Sequence, residues 1–233
     1  MTTDTIDSLG VEPVAQGSPR EDPLRFLFRI LTKLYSLWVS LTYPFASRGR
    51  KLWIHYPCEL SRVKAHRIKL GNSVMLMKDA TLDVTAPPEQ NGEPIVVIDD
   101  NVGLGPCCRI SARNYVHLER DIIMAQSVFI SDHHCGFEER SVPSAGQGVA
   151  EGGRIRIGEG SWIGRGAAIV CTQGELVLGR NCVVAANALV TRSFPSYSVI
   201  IGNPAGVIRR FDPVKRKWVI GSVRSTPAAK ASE

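Results

Sequence analysis

A six-residue period in the aliphatic residues limits most strongly what this chain can fold into. Aliphatic side chains stand six apart, without a break, at Ile98, Leu104, Ile110, Val116, Ile122 and Val128. The period resumes at Ile157, Ile163 and Ile169, then at Leu178, Val184 and Val190, and an earlier pair, Ile68 and Val74, begins it. A period that is neither 2 nor 3.6 and that persists over such a length predicts a solenoid.

Each six-residue unit is expected to form a short strand and a turn, so that three units close one triangular coil of an all-β solenoid. The aliphatic residue points into the prism, and the residue four places later must be small because it faces the same interior. Such small positions are Val102, Cys108, Ser161, Ala167, Cys182 and Ala188. Arg120, Gln126 and Gln173 break this rule, which predicts distorted or subunit-facing turns there. Glycines follow the aliphatic residue at Gly105, Gly158, Gly164 and Gly179, where we expect unusual backbone angles.

The chain divides into four parts by pattern. Residues 1–22 carry Pro, Gly and Ser without apolar periodicity and are expected to be a disordered lead. Residues 23–56 form an amphipathic helical segment, residues 57–212 the β-helix domain, and residues 213–233 a C-terminal tail.

The stretch 23–45 has the spacing of a helix with one apolar face. That face comprises Leu24, Leu27, Phe28, Leu31, Leu34, Tyr35, Trp38 and Leu41. Arg25, Arg29 and Lys33 argue against a membrane span. Two interpretations stay open: a helix that lies on a membrane surface, or one that caps the open end of the repeat domain or packs on a partner subunit.

Composition narrows the class of protein further. The net charge of +6 suits an anionic ligand or an acidic membrane surface. No basic stripe with interleaved aromatic residues is present, so we expect no nucleic-acid partner. The six cysteines form no C-x-x-C pair, which favours reduced thiols in a cytoplasmic protein over a metal site or a disulfide framework.

Three stretches closely resemble the hexapeptide-repeat acyltransferases. They are IGEGSWIGRGAAIV at 157–170, LGRNCVVAANALVTRSFP at 178–195 and SVIIGNPAGVIRRF at 198–211. The resemblance extends over residues 60–212, and Gly-Asn-Pro-Ala followed by Val-Ile-Arg is its most specific part. It implies a left-handed parallel β-helix, a homotrimer with active sites between neighbouring subunits, and acetyl-CoA as the co-substrate, with no metal.

Two segments interrupt the period, 85–95 and 131–153, and a long loop inside a compact domain is usually functional. The second opens with Ser-Asp-His-His at 131–134, which resembles the sugar O-acetyltransferases of polysaccharide biosynthesis and of the maltose and galactoside group. Relatives often read Asp-His-x-His-Gly-Tyr there. This alignment implies His133 as the general base, with Asp132 to orient it and His134 as the alternative. Cys135 stands where the pattern has its second histidine.

The expected chemistry needs little beyond this histidine. An imidazole, with an unperturbed pKa of about 6.5, can take the proton of a hydroxyl that attacks a thioester. For the coenzyme, the resemblance implies contacts from Arg165, Ala186, Thr191, Arg192 and Arg209. It also places Trp162 against the pantetheine or in the trimer interface.

The resulting hypothesis is O-acetylation of a sugar hydroxyl in cell-surface polysaccharide or glycan synthesis, in the cytoplasm or at the inner face of the membrane. An amino-sugar N-acetyltransferase is the alternative within enzymes. A zinc enzyme like the γ-type carbonic anhydrases would need three converging histidines, for which His117, His133 and His134 are available. A non-catalytic scaffold trimer is the remaining alternative.

Overall fold

A computed structural model describes residues 23–86, 92–212 and 214–220, with side chains from Phe26 onward. The chain winds through three faces of a triangular prism, called sheet A, sheet B and sheet C. The first strand of every coil belongs to sheet A, the second to sheet B and the third to sheet C. Neighbouring coils pair in parallel along each sheet. The predicted all-β solenoid, a parallel β-helix, is therefore confirmed.

Helix α1 (Pro23–Thr42) precedes six coils of short strands. Coil 1 has β1 (Ser47–Arg48), β2 (Trp53–Ile54) and β3 (Glu59–Leu60); coil 2 has β4 (Ile68–Leu70), β5 (Met75–Leu76) and β6 (Thr81–Val84). Coil 3 has β7 (Val96–Ile98), β8 (Gly103–Leu104) and β9 (Arg109–Ala112); coil 4 has β10 (Tyr115–Leu118), β11 (Ile123–Met124) and β12 (Phe129–Ser131). Coil 5 has β13 (Arg154–Ile157), β14 (Trp162–Ile163) and β15 (Ala168–Val170); coil 6 has β16 (Glu175–Leu178), β17 (Val183–Val184) and β18 (Leu189–Val190).

After coil 6 the parallel winding ends in a partial seventh coil, where Phe194 bridges Leu178 in parallel. Strand β19 (Ser198–Ile201) still pairs in parallel with β17, whereas β20 (Gly206–Asp212) and β21 (Lys217–Ile220) turn back as an antiparallel extension of sheet B. The predicted tail 213–233 thus contains a strand, β21. Residues 1–22 and 221–233 lie outside the described residues.

Coil 1 also begins earlier than the predicted boundary at residue 57. Helix α1 ends at Thr42, and β1 starts at Ser47, within the segment 23–56 predicted to be helical. Only Ile54 and Leu60 of coil 1 are buried aliphatic residues. Two such residues are too few to reveal a six-residue period.

The interior is filled by the residues that the period predicts, but their roles change at coil 4. Every member of the run from Ile98 to Val128 is buried. In the register, however, the residue stacked on Ile98 is Leu118, whereas Val116 stacks on Val96. From Val116 onward the run therefore occupies the position expected for small residues, and no longer the aliphatic position. Two additional residues, Arg113 and Asn114, between β9 and β10 cause the shift. Arg120 and Gln126 consequently lie in ordinary exposed corners, which corrects the prediction of distorted turns.

The glycines after the aliphatic residues serve a different purpose from the one predicted. Positive φ angles occur two residues later in these corners, at Cys107, Gly160, Gly166 and Asn181. Gly158 itself is needed for close approach, because a Cβ there would lie 2.5 Å from the backbone N of Arg180 on the next coil. The same crowding applies at Gly164, where the distance to the N of Ala186 would be 2.6 Å.

Helix α1 covers the open end of coil 1. The Ser36 hydroxyl donates to the carbonyl of Ile54 and accepts from its N–H, and Val39 is buried in the core. The capping interpretation of this segment is therefore confirmed. Among the described residues, no helix has the length and hydrophobicity that crossing a membrane requires.

Candidate active site

The three corners of the prism differ in how much their number of residues varies from coil to coil. The corner from sheet A to sheet B has four residues in every coil, at 49–52, 71–74, 99–102, 119–122, 158–161 and 179–182. The corner from sheet B to sheet C is equally constant. The corner from sheet C to the next sheet A ranges from 113–114 to 132–153. Both predicted interruptions of the period fall on this C–A corner, although residues 87–91 of the first lie outside the described residues.

His133 stands at the C–A corner immediately after coil 4. Its Nδ1 lies 2.9 Å from Oδ1 of Asp132, and its Nε2 lies 3.5 Å from the hydroxyls of both Thr85 and Ser111. The side chain is about 10% exposed. Because the carboxylate can only accept, Nδ1 carries the proton and the Nε2 lone pair points toward the two hydroxyls.

Asp132 is fully buried, yet all of its hydrogen-bonding capacity is used. Its carboxylate accepts the backbone N–H groups of Arg113, Asn114 and Tyr115 at 2.7 to 2.8 Å, besides the bond to His133. Two of these N–H groups, of Arg113 and Asn114, belong to the two-residue corner that shifts the register of coil 4, and the third belongs to the first residue of β10. Four hydrogen bonds stabilise a carboxylate that burial alone would destabilise, and they fix the orientation of the imidazole.

A polar groove runs from His133 along the outer face of sheet C toward coil 1. The Ser111 hydroxyl lies 3.4 Å from Oδ2 of Asp83, which is 3.6 Å from the guanidinium of Arg109. A cavity of about 320 Å³ continues along this face to Thr81 and Glu59. The groove therefore offers carboxylate, hydroxyl and guanidinium groups beside Nε2 of His133.

The loop 132–153 is a hairpin closed at its base. The N–H of Gly153 donates to the carbonyl of Asp132 at 2.7 Å, and Cys135 and Val149 form an antiparallel bridge. A Cβ on Gly152 would lie 1.8 Å from the same Asp132 carbonyl, so only glycine fits there. The base of the hairpin thus holds the backbone that carries the Asp132–His133 pair.

His134 lies in a different environment from His133. Its Nδ1 is 2.7 Å from the carbonyl of Cys135, and its ring is 5.3 Å from the ring of Phe137. It lines a cleft of about 750 Å³ between the hairpin and residues 172–174. The structure therefore joins Asp132 to His133 and not to His134.

The residues predicted for the coenzyme fall into separate groups on coils 5 and 6. Arg165 and Ala186 occupy stacked B–C corners, where the N–H of Asn187 donates to the carbonyl of Arg165. Arg192 donates to the carbonyl of Ala205 at 3.3 Å, beside exposed Thr191 and the Gly-Asn-Pro-Ala turn. Arg209 and Trp162 lie apart, on β20 and on the outer face of sheet B. None of these side chains contacts His133 within one chain.

The residues of the zinc alternative are not brought together in one chain. His117 lies on sheet A, where its Nε2 is 2.8 Å from Oδ2 of Asp99, whereas His133 follows sheet C. Within the part of the chain that the structure describes, no group of three His, Cys, Asp or Glu side chains is placed to hold a metal ion.

Comparison with known proteins gives two kinds of relative, although no protein-family model matches the chain. The Escherichia coli K12 protein named "Putative lipopolysaccharide biosynthesis O-acetyl transferase WbbJ" is 26% identical over 167 residues, which cover 69% of this chain and 83% of WbbJ. "Probable acetyltransferase Rv3034c" of Mycobacterium tuberculosis is 26% identical over 69% of this chain, but the match spans only 48% of Rv3034c. The resemblance to the hexapeptide-repeat acyltransferases is confirmed.

A solved structure shows the same fold. AntD, an N-acyltransferase from Bacillus cereus in complex with dTDP and coenzyme A, superposes with a TM-score of 0.60 over 77% of this chain and 90% of AntD, at 14% identity. At that identity the likeness establishes the fold alone, a left-handed parallel β-helix. The chain is thus related in sequence to named acetyltransferases and in fold to an acyltransferase.

Sequence reasoning missed the groove residues Thr85, Ser111, Asp83 and Arg109. A signal was present for Ser111 and Asp83, because each follows an inward aliphatic residue of sheet C and must therefore face outward. Their proximity to His133 depends on the register between coils, which the phase shift at 113–114 concealed.

Proposed function

We propose that this protein transfers an acetyl group from acetyl-CoA to a sugar hydroxyl, with His133 as general base and Asp132 as the residue that positions it. The observation that carries the proposal is the Asp132–His133 pair, whose Nε2 faces the two hydroxyls at the end of a polar groove. The relationship to named acetyltransferases, WbbJ among them, supports acetyl-CoA as donor and a glycan as acceptor. The proposed reaction needs no metal.

The proposed reaction proceeds by direct transfer. The neutral Nε2 of His133 accepts the proton of the acceptor hydroxyl while its oxygen attacks the thioester carbonyl carbon. The tetrahedral intermediate then collapses, the C–S bond breaks, and the imidazolium returns the proton to the sulfur of the departing coenzyme. Asp132 keeps the proton on Nδ1 throughout and stabilises the imidazolium.

The polar groove supports a polyhydroxylated acceptor. Sugar hydroxyls both donate and accept, and the groove presents acceptors at Asp83 and Glu59 beside a donor at Arg109. A ring bound in the groove would lie beside the Thr85 and Ser111 hydroxyls, toward which Nε2 of His133 points.

We also propose that three chains assemble and that the sites form between them. The outer face of sheet B supports this, because one column of it is apolar: Trp53, Met75, Ile123, Trp162, Val183 and Val199 follow one another in register around Gly103. Ile123 is 59% exposed in the single chain. An apolar column of this length is typical of a covered interface. A neighbouring subunit would then bring the donor-site residues Trp162, Arg165, Ala186, Thr191, Arg192 and Arg209 to the groove.

Replacement of the two histidines tests the catalytic assignment. With acetyl-CoA and a panel of mono- and oligosaccharides, formation of coenzyme A and acetylated sugar is followed by chromatography with mass detection. His133→Ala is expected to lower the rate by about 10²- to 10⁴-fold, since general-base catalysis contributes that much. His134→Ala serves as the matched control and should keep the rate within a few fold. Wild-type activity in His133→Ala would refute the assignment, and acetylation of amino sugars alone would establish the N-acetyltransferase alternative.

A charge in the apolar column tests the assembly. Ile123→Arg is expected to convert a trimer of about three times 25.5 kDa into single chains, measured by light scattering during size-exclusion chromatography. Val63→Arg, at an apolar residue that is 82% exposed outside the column, is the control. An unchanged mass for Ile123→Arg would show that this face is not the interface.

A further inference from the structure

Helix α1 presents an apolar surface that the fold leaves uncovered. Most described residues of its predicted apolar face stay exposed, because the helix contacts coil 1 through Ser36, Val39 and the partly buried Tyr35. We call the exposed set the apolar arc: Phe26, Leu27, Ile30, Leu31, Leu34, Leu37, Trp38 and Leu41. Each of these side chains is between 39% and 67% exposed. At about 100° per residue they span about 140° of the helix, opposite the side that caps the core.

The charge around this helix has a single sign. Residues 23–58 contain no aspartate or glutamate, while six basic residues lie among them: Arg25, Arg29, Lys33, Arg48, Arg50 and Lys51. This region therefore accounts for a charge equal to the net charge of +6 of the whole chain. A second copy of the same surface would meet it with like charge, whereas an anionic surface would be attracted.

The cations lie beside the apolar arc. A cleft of about 470 Å³ between α1 and coil 1 is lined by Lys33 and Lys51 together with Leu37 and Trp53. The ammonium of Lys33 lies 5.9 Å from the centre of the Trp53 ring. Basic groups at the edge of an apolar helix face, with a tryptophan in that face, are the arrangement of helices that lie in the headgroup region of a bilayer.

We propose that α1 docks the protein on an anionic lipid bilayer, with the apolar arc inserted between headgroups and the basic residues on the lipid phosphates. Each basic residue near such a surface strengthens binding about fivefold, and salt weakens that attraction. The proposal is independent of the acetyl-transfer reaction, because the arc lies at the coil 1 end and His133 follows coil 4.

Sedimentation of the full chain with vesicles tests the proposal. We expect the protein to sediment with vesicles of phosphatidylcholine and phosphatidylglycerol, and at least tenfold less with phosphatidylcholine alone or in 0.5 M salt. The double variant Leu34→Asp/Trp38→Asp should lower binding to the mixed vesicles at least tenfold. Val63→Asp/Val214→Asp, which adds the same two charges at side chains 82% and 89% exposed outside the arc, should bind within a few fold of the wild type. The double variant should keep the wild-type circular dichroism spectrum and its rate on a soluble acceptor.

Tryptophan fluorescence gives a second measurement that does not depend on a disruptive substitution. Brominated lipids in the mixed vesicles should quench the wild type, and Trp38→Phe should lose most of this quenching while still sedimenting. Absence of sedimentation with phosphatidylglycerol vesicles would overturn the proposal, as would undiminished binding of the double variant. A lower molecular mass of the double variant in light scattering would assign the arc to contact between copies of the chain instead.

Discussion

The A–B corner and the C–A corner of this β-helix occur the same number of times in each coil but have opposite characters. The A–B corner keeps four residues in all six coils, and in four of them a glycine allows the backbones of neighbouring coils to approach closely: Gly49, Gly71, Gly158 and Gly179. The C–A corner varies from the two residues 113–114 to the hairpin 132–153. Because equivalent residues of neighbouring coils stack on one another, the A–B corner keeps a constant number of residues. The C–A corner can accept an insertion without disturbing that stack.

The variable C–A corner also carries the buried polar side chains of the candidate site. Asp132 connects two insertions, because it starts the long hairpin and accepts the N–H groups of the two-residue corner one coil below. Thr85, from a third insertion, faces His133. In this molecule the two constant corners specify the fold, and the third brings together the residues of the candidate site.

The largest effect that separates the two corners is expected for Asp132→Asn. An amide can donate as well as accept, so it no longer fixes the proton on Nδ1 of His133. We expect the rate of acetyl transfer to fall roughly 10²- to 10⁴-fold, as for loss of a tautomer-fixing carboxylate. The rate is measured with saturating acetyl-CoA, and calorimetric titration of acetyl-CoA should show an affinity within a few fold of the wild type. Full activity of this variant would mean that the C–A corner carries Asp132 for structural reasons alone.

Replacing one glycine in each corner by alanine compares how much an added methyl group lowers the free energy of unfolding there. A Cβ at Gly158, in the A–B corner, would meet the backbone of Gly179 and Arg180 at 2.5 to 2.6 Å. Gly158→Ala should therefore lower the free energy of unfolding by about 1–3 kcal/mol, as overpacking typically does. Gly92→Ala is the matched control, since a Cβ there meets nothing within 4 Å in the C–A corner. Equal midpoints of urea unfolding for the two variants would contradict the assignment of rigidity to the A–B corner.

Sequence reasoning predicted the architecture but not the register, and the cause is physical. Each six-residue unit has two inward positions, so the two-residue insertion at Arg113–Asn114 moves an apolar residue from one inward position to the other. The series through Val116, Ile122 and Val128 therefore stays buried and keeps its period of six while its stacking partners change. Hydrophobicity alone does not reveal such a shift.

The candidate site was predicted in part for a related reason. His133 and Asp132 were predicted because they open a long loop and match the Asp-His pattern of the family that the chain resembles. Ser111 and Asp83 come from other coils, so their contact with His133 depends on the register. The predicted helix shows the reverse case: its apolar face was visible in sequence, but only the structure shows that Ser36, Val39 and the partly buried Tyr35 contact the core while the other described residues of that face stay exposed.

The smallest expected effect concerns an ion pair of the A–B corner, Glu119 with Arg156. Burial raises the pKa of the Glu119 carboxyl, but the N–H of Glu159 and the Arg156 guanidinium outweigh it and lower that pKa below its ordinary value. The carboxylate therefore contributes stability above the pKa of the unfolded chain, and this contribution is lost as the pH falls through the lower pKa of the folded state.

Glu119→Gln should accordingly lower the free energy of unfolding by about 0.5–1 kcal/mol at pH 7, because the pair is partly exposed and screened. Urea unfolding at pH 7 and at pH 3 measures the difference, which should shrink in acid as the wild-type carboxylate takes up its proton. Arg120→Gln, which removes the neighbouring and more exposed pair with Glu159, provides the comparison and should cost less. If Glu119→Gln lowered the free energy of unfolding by the same amount at both pH values, the side chain would stabilise the corner by packing and neutral hydrogen bonds. Charge would then play no part in keeping the A–B corner at a constant length.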